Sequence, residues 1–523
     1  MAEMDTKRKN RESTEKPLQG LDVDSQGRRE FLKSTLSGGI LAAAACADSA
    51  TGLAAPGGSG VLDPGAIHNL KTHVKGAVLA PGDSGYDAAR AGFELSVEQR
   101  PAVVVMVESA QDVVAAVNFA REHKLGIGVQ ATGHGISLPA NGGLLVNTSR
   151  MKAVEVDAAG KTARVQPGAK WKDVAPHVTP HGLAPLSGSS TDVGVVGYTL
   201  GGGTGWFARR YGYATNSVIS ADVVTADGRL VHASATDNPD LFWALRGGVG
   251  NFGIVTSLEF KLYPVKEFYG GGIFFPADHA QEVLQAYSRW AEKLPDTFTS
   301  RAAIYNMPPI PEVPEPLRGR WVIAVQGAFL GTEAAGADLL RPIRQVAKPV
   351  VDTFAMMPYT QVDTIANDPV QPMATLLHSE TIREISPQLI ENLLKGARVG
   401  ERSHLAFVEM RHLGGALAAF PGNGSAAGRP DGKFWLNAIA VFRTPEEKAL
   451  AESDVNRIEE AVKPFSTGRV FLNGLSGPAG SRVRSAYSAE NYARLVAVKR
   501  KYDPTNLFQF NRNIAPGPIP AGS

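Results

Sequence analysis

Ser187-Gly188-Ser189-Ser190-Thr191-Asp192-Val193-Gly194-Val195-Val196-Gly197-Tyr198-Thr199-Leu200-Gly201-Gly202-Gly203-Thr204-Gly205 is the stretch on which the fold turns. Seven glycines in this run cannot have been chosen for helix or strand stability, because glycine weakens both. A flexible linker would not be laced with Val195, Val196, Tyr198 and Leu200. A backbone that wraps an anionic ligand with its amides fits better. Two further glycine-rich stretches flank it: Ala131 to Gly143, and Gly247-Gly248-Val249-Gly250-Asn251-Phe252-Gly253-Ile254-Val255-Thr256.

Upstream, Val103 to Val107 is a β-branched run closed by the capping pattern Ser109-Ala110-Gln111-Asp112. Val113, Ala116, Val117 and Ala120 then recur at helical spacing. Ile127-Gly128-Val129 and Leu144-Leu145-Val146 enclose the first glycine loop, which makes a strand–helix–strand unit ending at a ligand-accessible backbone. Short strands follow at Val154 to Val156 and Ala163 to Gln166, a helix near Lys170 to Val178, and a hairpin around Ala226-Asp227-Gly228. From about Pro264 the texture changes. Strands near Trp321 to Phe329, His404 to His412 and Phe434 to Phe442 alternate with helices near Ala280 to Leu294 and Glu446 to Val462. That is the pattern of an antiparallel sheet covered by helices. The tail is helical around Ala489 to Tyr502 and stops at Asp503-Pro504.

The whole chain of 523 residues carries a net charge of +2, which gives no reason to expect a nucleic-acid partner. Its single cysteine, Cys46, excludes an intrachain disulfide and a Cys-ligated zinc or iron–sulfur site, and no metal site is expected. Residues 1–27 are polar and charged and are expected to lack order. Gly27-Arg28-Arg29-Glu30-Phe31-Leu32-Lys33 and the weakly apolar run that follows resemble a twin-arginine export signal, implying the twin-arginine machinery as a partner and a periplasmic or extracellular destination. The run is too short and too rich in small residues for a transmembrane span. Ala43-Ala44-Ala45 offers a cleavage site directly before Cys46, so cleavage and lipid anchoring at Cys46 both stay open.

Three islands together resemble the FAD-linked oxidases of the vanillyl-alcohol-oxidase fold, in the berberine-bridge-enzyme-like branch. They are Val129-Gln130-Ala131-Thr132-Gly133-His134-Gly135; Leu200-Gly201-Gly202-Gly203-Thr204-Gly205-Trp206 with Arg210-Tyr211-Gly212; and Asn491-Tyr492-Ala493-Arg494-Leu495 with Lys499 and Tyr502-Asp503-Pro504-Thr505-Asn506-Leu507-Phe508. The resemblance implies an α+β fold, a two-lobed PCMH-type FAD-binding domain plus an antiparallel-sheet substrate domain covered by helices. The expected boundaries are a signal region at 1–48, a linker at 49–65, FAD-binding parts at 66–264 and 465–523, and a substrate domain at 265–464. It further implies FAD bound covalently through His134 alone, to the 8α-methyl of the flavin. The cofactor-binding residues would be Gln130, Ala131, Thr132, Gly133, His134, Gly135, Ser137, Ser190, Val193, Gly194, Gly197, Gly202 and Gly203. Gly253, Ile254 and Val255 would lie on the adenine side, and Asn511 and Asn513 near the isoalloxazine. Ser190 stands where some relatives place a second flavin-bonding cysteine, and Gln130 where an arginine often opens the histidine loop.

The chemistry implied is oxidation of an alcohol, sugar, amine or phenolic small molecule by hydride transfer to flavin N5, with dioxygen as the expected acceptor. Such a reaction wants a base within hydrogen-bond reach of the substrate. Relatives often use a tyrosine in a Y-x-N-Y segment, and here Phe471-Leu472-Asn473-Gly474 lacks both phenols. Asn437 stands loosely where an acid is sometimes found. Glu409 and Arg411 share a strand face, with His412 on the other, so Glu409 is the leading base candidate and a structural ion pair its alternative. Tyr487 is expected to pack near the cofactor. The resemblance implies that position 193 controls oxygen access, and its valine leans toward an oxidase over a dehydrogenase. A flavin-holding binding protein without turnover is the competing class. A sister enzyme such as an aldonolactone or cytokinin oxidase is disfavoured by the C-terminal signature.

Overall fold

Runs of β-branched residues help seed the three larger of four sheets among the described residues, the smallest pairing Leu183–Ala184 with Tyr263–Pro264. The computed structural model describes residues 62–475 and 480–517. The arginine pair, Cys46 and the linker before residue 62 lie outside them. The first sheet contains β1 (Ala77–Leu79), β2 (Val103–Met106), β3 (Ile127–Gln130) and β4 (Leu144–Asn147) in the order β1-β2-β4-β3. Strands β2, β4 and β3 are parallel, and β1 pairs antiparallel with β2. Between β2 and β3 runs α1 (Ala110–Glu122), begun by the expected cap: Ser109 Oγ accepts the Asp112 N–H at 3.2 Å. Its apolar stripe of Val113, Ala116, Val117 and Ala120 is buried beneath the sheet.

The second sheet is antiparallel, with β5 (Val154–Asp157), β6 (Thr162–Val165), β7 (Val218–Val224), β8 (Leu230–Ser234) and β9 (Ile254–Lys261) in the order β5-β6-β9-β7-β8. Between β6 and β7 the chain makes α2 (Trp171–Val178) and α3 (Val195–Leu200). The second of these lies inside the glycine-rich stretch, which therefore is not loop throughout. Val195, Val196, Thr199 and Leu200 bury one side of it and outweigh the cost of its glycine.

The third sheet has β10 (Glu267–Pro276), β11 (Phe298–Asn306), β12 (Trp321–Phe329), β13 (Ala374–Ile382), β14 (Leu405–His412) and β15 (Phe434–Phe442) in the antiparallel order β10-β12-β11-β14-β15-β13. Short strands at Val351–Asp352 and Ala355–Pro358 pair with β10. Helices α4 (Ala280–Ala291), α5 (Glu333–Arg344), α6 (Pro387–Ala397) and α7 (Pro445–Val462) pack against one face. Leu284 and Tyr287, Leu340 and Ile343, Leu389 and Leu393, and Ile458 and Val462 enter that core. Each such side chain contributes about 1.5–3 kcal/mol by burial. The opposite face of β11, β14 and β15 carries Arg301, Glu409, Arg411 and Asn437.

The last helix, α8 (Ala489–Tyr502), leads the chain back to the first sheet, where Ile127 N–H donates to Leu507 O at 2.8 Å and Phe508 is buried. Among the described residues, no helix is long and apolar enough to cross a membrane.

Candidate functional site

β3 ends at Gln130, and its side chain turns inward. Nε2 donates to Ala91 O at 2.7 Å, and Oε1 accepts from Gln99 Nε2 at 2.7 Å. The loop beyond it offers backbone. Phe93 N–H donates to Thr132 O at 2.9 Å and Glu94 N–H to Gly133 O at 3.2 Å, so residues 92–94 run alongside. Gly133 has φ +76°, and a Cβ there would fall 2.4 Å from Gly92 Cα, so no other residue fits. His134 stacks on Phe93, with ring centroids 3.7 Å apart and planes at 18°. Its Nε2 is buried with no hydrogen-bond partner among the described residues. Burial pushes the imidazole down to about 4, leaving a neutral nitrogen base at neutral pH.

The second glycine loop faces the first. A Cβ on Gly194 would sit 3.6 Å from Thr132 Cγ2 and 3.8 Å from Ala131 Cβ. Val193 is half-buried against the core, and Ser190 Oγ accepts the Asp192 N–H at 3.3 Å. A Cβ on Gly197 would meet nothing within 4 Å, so that side of α3 opens outward. Gly202 has φ +111° and Gly203 φ +72°, and a Cβ on Gly203 would clash with Tyr198 Cε1 at 2.5 Å. Asp192 is buried, and Oδ2 lies 3.8 Å from His134 Nε2, beyond hydrogen-bond reach. Lys170 Nζ donates to both oxygens at 2.9 and 3.0 Å, and Lys172 Nζ to Oδ1 at 2.6 Å. Burial opposes the charge of Asp192, but the two ammonium groups hold its carboxyl below the usual range.

The C-terminal strip closes on the same place. Arg512 Nη1 donates to Gly135 O at 3.3 Å. Asn511 Nδ2 donates to Gly250 O and Phe508 O, both at 3.1 Å. The Oδ1 atoms of Asn511 and Asn513, with Ser137 Oγ, are buried and unpartnered among the described residues. Ile254 and Val255 point into the cores, and a Cβ on Gly253 would lie 2.5 Å from Val223 Cγ1; this segment can present only backbone to a ligand. Tyr487 is buried, and its hydroxyl donates to Gly247 O at 2.9 Å.

Across from the loops, the face of the third sheet turned away from its helices collects charge. Arg411 Nε donates to Glu409 Oε1 at 2.7 Å, Asn437 Nδ2 donates to the same oxygen at 3.0 Å, and Arg301 Nη1 holds Oε2. Burial favours the neutral acid, but Arg411 and Arg301 outweigh it and hold Glu409 at about 2. Arg301 also donates to Gln326 Oε1 at 2.9 Å and to the Tyr305 hydroxyl at 2.7 Å. Arg411 Nη2 reaches Ser189 Oγ at 3.3 Å, and Ser189 Oγ donates to Asp368 Oδ2 at 2.6 Å. Thus the glycine loop is tied to the sheet. Asn437 Oδ1 is buried and unpartnered. In the segment without phenols, Phe471 packs on Trp435 with centroids 4.8 Å apart, and Asn473 binds Gly203 N and Tyr198 O at 3.2 and 3.1 Å.

The sequence pointed to the glycine loops and His134 but missed Phe93, Asp192 with its lysines, Arg301 and Arg512. Asp192 lay in full view inside the glycine run. Arg301 is hidden from sequence because it meets Glu409 only across the β11–β14 pairing.

These residues suit a dinucleotide. Two loops offer backbone N–H groups without a phosphate-binding lysine motif, and His134 Nε2, Ser137 Oγ, Asn511 Oδ1 and Asn513 Oδ1 are buried polar atoms in want of partners. Comparison with known proteins agrees. Residues 101–234 match the FAD binding domain family, and residues 470–515 match the berberine and berberine-like family. The chain is 28% identical to (R)-6-hydroxynicotine oxidase of Paenarthrobacter nicotinovorans over 467 residues, which covers 85% of this chain and 97% of the relative. It is 26% identical to chitooligosaccharide oxidase of Gibberella zeae, covering 86% and 94%. Among solved structures, 6-hydroxy-D-nicotine oxidase of Arthrobacter nicotinovorans superposes with a TM-score of 0.76 at 26% identity, covering 85% of this chain and 98% of the other. The Physcomitrella patens BBE-like 1 protein shares the fold, with a TM-score of 0.75 at 22% identity and coverage of 87% and 100%. With both family segments present in order on this α+β frame, the chain is an FAD-dependent oxidoreductase with the fold of the berberine-bridge-enzyme-like enzymes.

Proposed function

We propose that this chain is an exported FAD-linked oxidase that holds its flavin covalently through His134 and oxidises a small alcohol, sugar, amine or phenolic compound with dioxygen as acceptor. The observation that carries the substrate side is the buried Arg301–Glu409–Arg411–Asn437 cluster, which faces the glycine loop through Ser189. Bound FAD supplies a two-electron acceptor at N5. Asn437 Oδ1 is the open acceptor that takes the substrate's O–H or N–H and orients it. A carboxylate held at about 2 is a weak base, so Glu409 serves by fixing Asn437 and the two guanidiniums more than by taking a proton. Valine at 193 supports the oxidase over the dehydrogenase. The relatives called 6-hydroxynicotine oxidase and chitooligosaccharide oxidase support oxidase chemistry while spanning two substrate classes. The arginine pair at Arg28-Arg29 supports export by the twin-arginine route, with lipid anchoring at Cys46 as its variant.

A second reading, a dehydrogenase or a flavin-holding protein without turnover, draws on Phe471 and Gly474, which stand where relatives carry phenols, Phe471 being packed on Trp435. The deciding test is acid precipitation of purified protein, followed by substrate screening under air. The expected result is yellow colour retained in the wild-type pellet and extractable from His134→Ala, with peroxide formed on substrate addition. Flavin that washes out of a fully loaded wild type overturns the covalent link. Flavin that bleaches with substrate but reoxidises slowly in air favours the dehydrogenase.

A further inference from the structure

Asp192 lies among cofactor-holding glycines, yet its partners on the protein side are two lysines and, at longer range, His134. Its Oδ1 receives both ammonium groups, and its Oδ2 receives only Lys170 and faces His134 Nε2 at 3.8 Å. That nitrogen has no other partner among the described residues and is buried, so Oδ2 is the acceptor in line for its proton. The carboxylate is held on firm backbone: Lys172 N–H donates to Thr191 O at 2.8 Å and Trp171 N–H to Val193 O at 3.2 Å. On the far side, Phe93 stacks against the imidazole and restricts its rotation.

We propose that Asp192 positions His134 for flavin attachment by accepting its Nε2–H, which fixes the tautomer whose lone pair is on Nδ1 and aims that nitrogen at the 8α carbon. The inference rests on the covalent reading above. In the attachment, one C–H bond of the 8α-methyl gives way to a C–N bond with Nδ1. The methyl proton and the Nε2 proton depart, the latter through Asp192. The electron pair left on the flavin passes to dioxygen, which takes up two protons and becomes hydrogen peroxide. The 3.8 Å separation of Asp192 Oδ2 and His134 Nε2 would shorten to a hydrogen bond as the ring settles against the cofactor, as catalytic contacts often tighten on binding. The neutral state of His134 at neutral pH supplies the free base that the step requires. Asp192 is a positioning residue, since it acts through His134. Lys170 and Lys172 keep it ionised.

The test uses the full chain prepared without flavin and then given FAD, with the acid-stable fraction followed over time. Total bound flavin is read in parallel. Asp192→Asn should bind FAD as wild type does but attach it roughly tenfold to a hundredfold more slowly, with Asp192→Glu recovering part of the rate. Attachment at the wild-type rate in Asp192→Asn would overturn the inference while leaving the link to His134 intact. If wild type itself never retains flavin in acid, the covalent reading is what has failed. Should Asp192→Asn not fold, Lys170→Met with Lys172→Met keeps the carboxylate and removes its cations. Because the lysines keep Asp192 ionised, attachment there should slow at neutral pH and recover as the pH is raised; a loss that no rise in pH restores overturns the inference.

Discussion

The Glu409 carboxylate has two guanidiniums and one amide packed around it with almost no solvent, and this decides what it can do. Removing one partner from such a set leaves uncompensated charge in a poor dielectric, which is costlier than the net worth of the pair. Glu409→Gln, nearly isosteric, should therefore destabilise the protein by about 3–5 kcal/mol, read as a drop in the urea midpoint. The pH dependence has a definite sign. Because the folded-state carboxyl is held at about 2 against an ordinary 4.5, its contribution is complete above pH 4.5 and is lost as pH falls toward 2. The difference between wild type and Glu409→Gln should close over that window. A difference of equal size at pH 3 and pH 6 would show that the ion pairs are not what the substitution removes. The sequence placed Glu409 and Arg411 on one strand face correctly, but could not show Arg301 arriving from β11. Whether a carboxylate is a base or an anchor depends on every group around it, and cross-strand neighbours are not written in local sequence.

At the scale of elements, α8 was legible from Ala489 to Tyr502 because its cap and its Asp503-Pro504 stop are local signals. The structure adds what Lys499 and Asp503 are for. Both are fully buried. Lys499 Nζ donates to Asp503 Oδ2 at 2.7 Å, Asn251 O at 2.8 Å and Phe508 O at 3.1 Å, and Asp503 accepts the N–H groups of Leu507 and Phe508. Every proton of the ammonium is used, and the strip carrying Asn511 and Asn513 is laid beside the glycine loops as a result. Lys499→Met should cost about 3–5 kcal/mol and, at temperatures where the variant still folds, lower its FAD content. A variant with normal flavin loading and an unchanged unfolding midpoint would sink this account. The third sheet was less legible. β12, β14 and β15 announce themselves by apolar runs, whereas β10 contains Gly270-Gly271-Gly272 and β13 the polar His378-Ser379-Glu380-Thr381. Their strand state is imposed by pairing with β12 and β15, which no window along the chain reveals.

For the molecule as a whole, the lobes that hold the cofactor and the sheet that faces it are joined by polar contacts: Ser189 with Asp368, Thr191 with Asp363, and Arg411 with Ser189. The two-lobed plan with a helix-covered sheet could be read from three motif islands and a change of texture near Pro264. The lateral ties could not, since each joins residues far apart in sequence. Buried imidazoles are likewise spread over the body: His134 is pushed down to about 4 by burial, His378 to about 4 by burial and Arg482, and His412 to about 3 by burial and Arg209. Each is neutral in the folded chain at a pH where the unfolded chain binds a proton at about 6.5. Stability contributed by these groups is therefore present above pH 6.5 and is lost as pH falls toward 4. Glu380, pushed up by burial, works in the other direction and softens the slope near its own titration. Glu409 does not enter until below pH 4.5, so the fall between pH 6.5 and about 5 is that of the imidazoles less the opposing effect of Glu380. Urea midpoints of the flavin-free protein should fall steadily across that interval, and His412→Asn should remove part of the fall. A midpoint that stays flat from pH 7 to pH 5 in Glu380→Gln as well, where the opposing carboxyl is gone, would mean that these rings reach solvent in the folded state, and with it that His134 is not the sheltered neutral base on which flavin attachment depends.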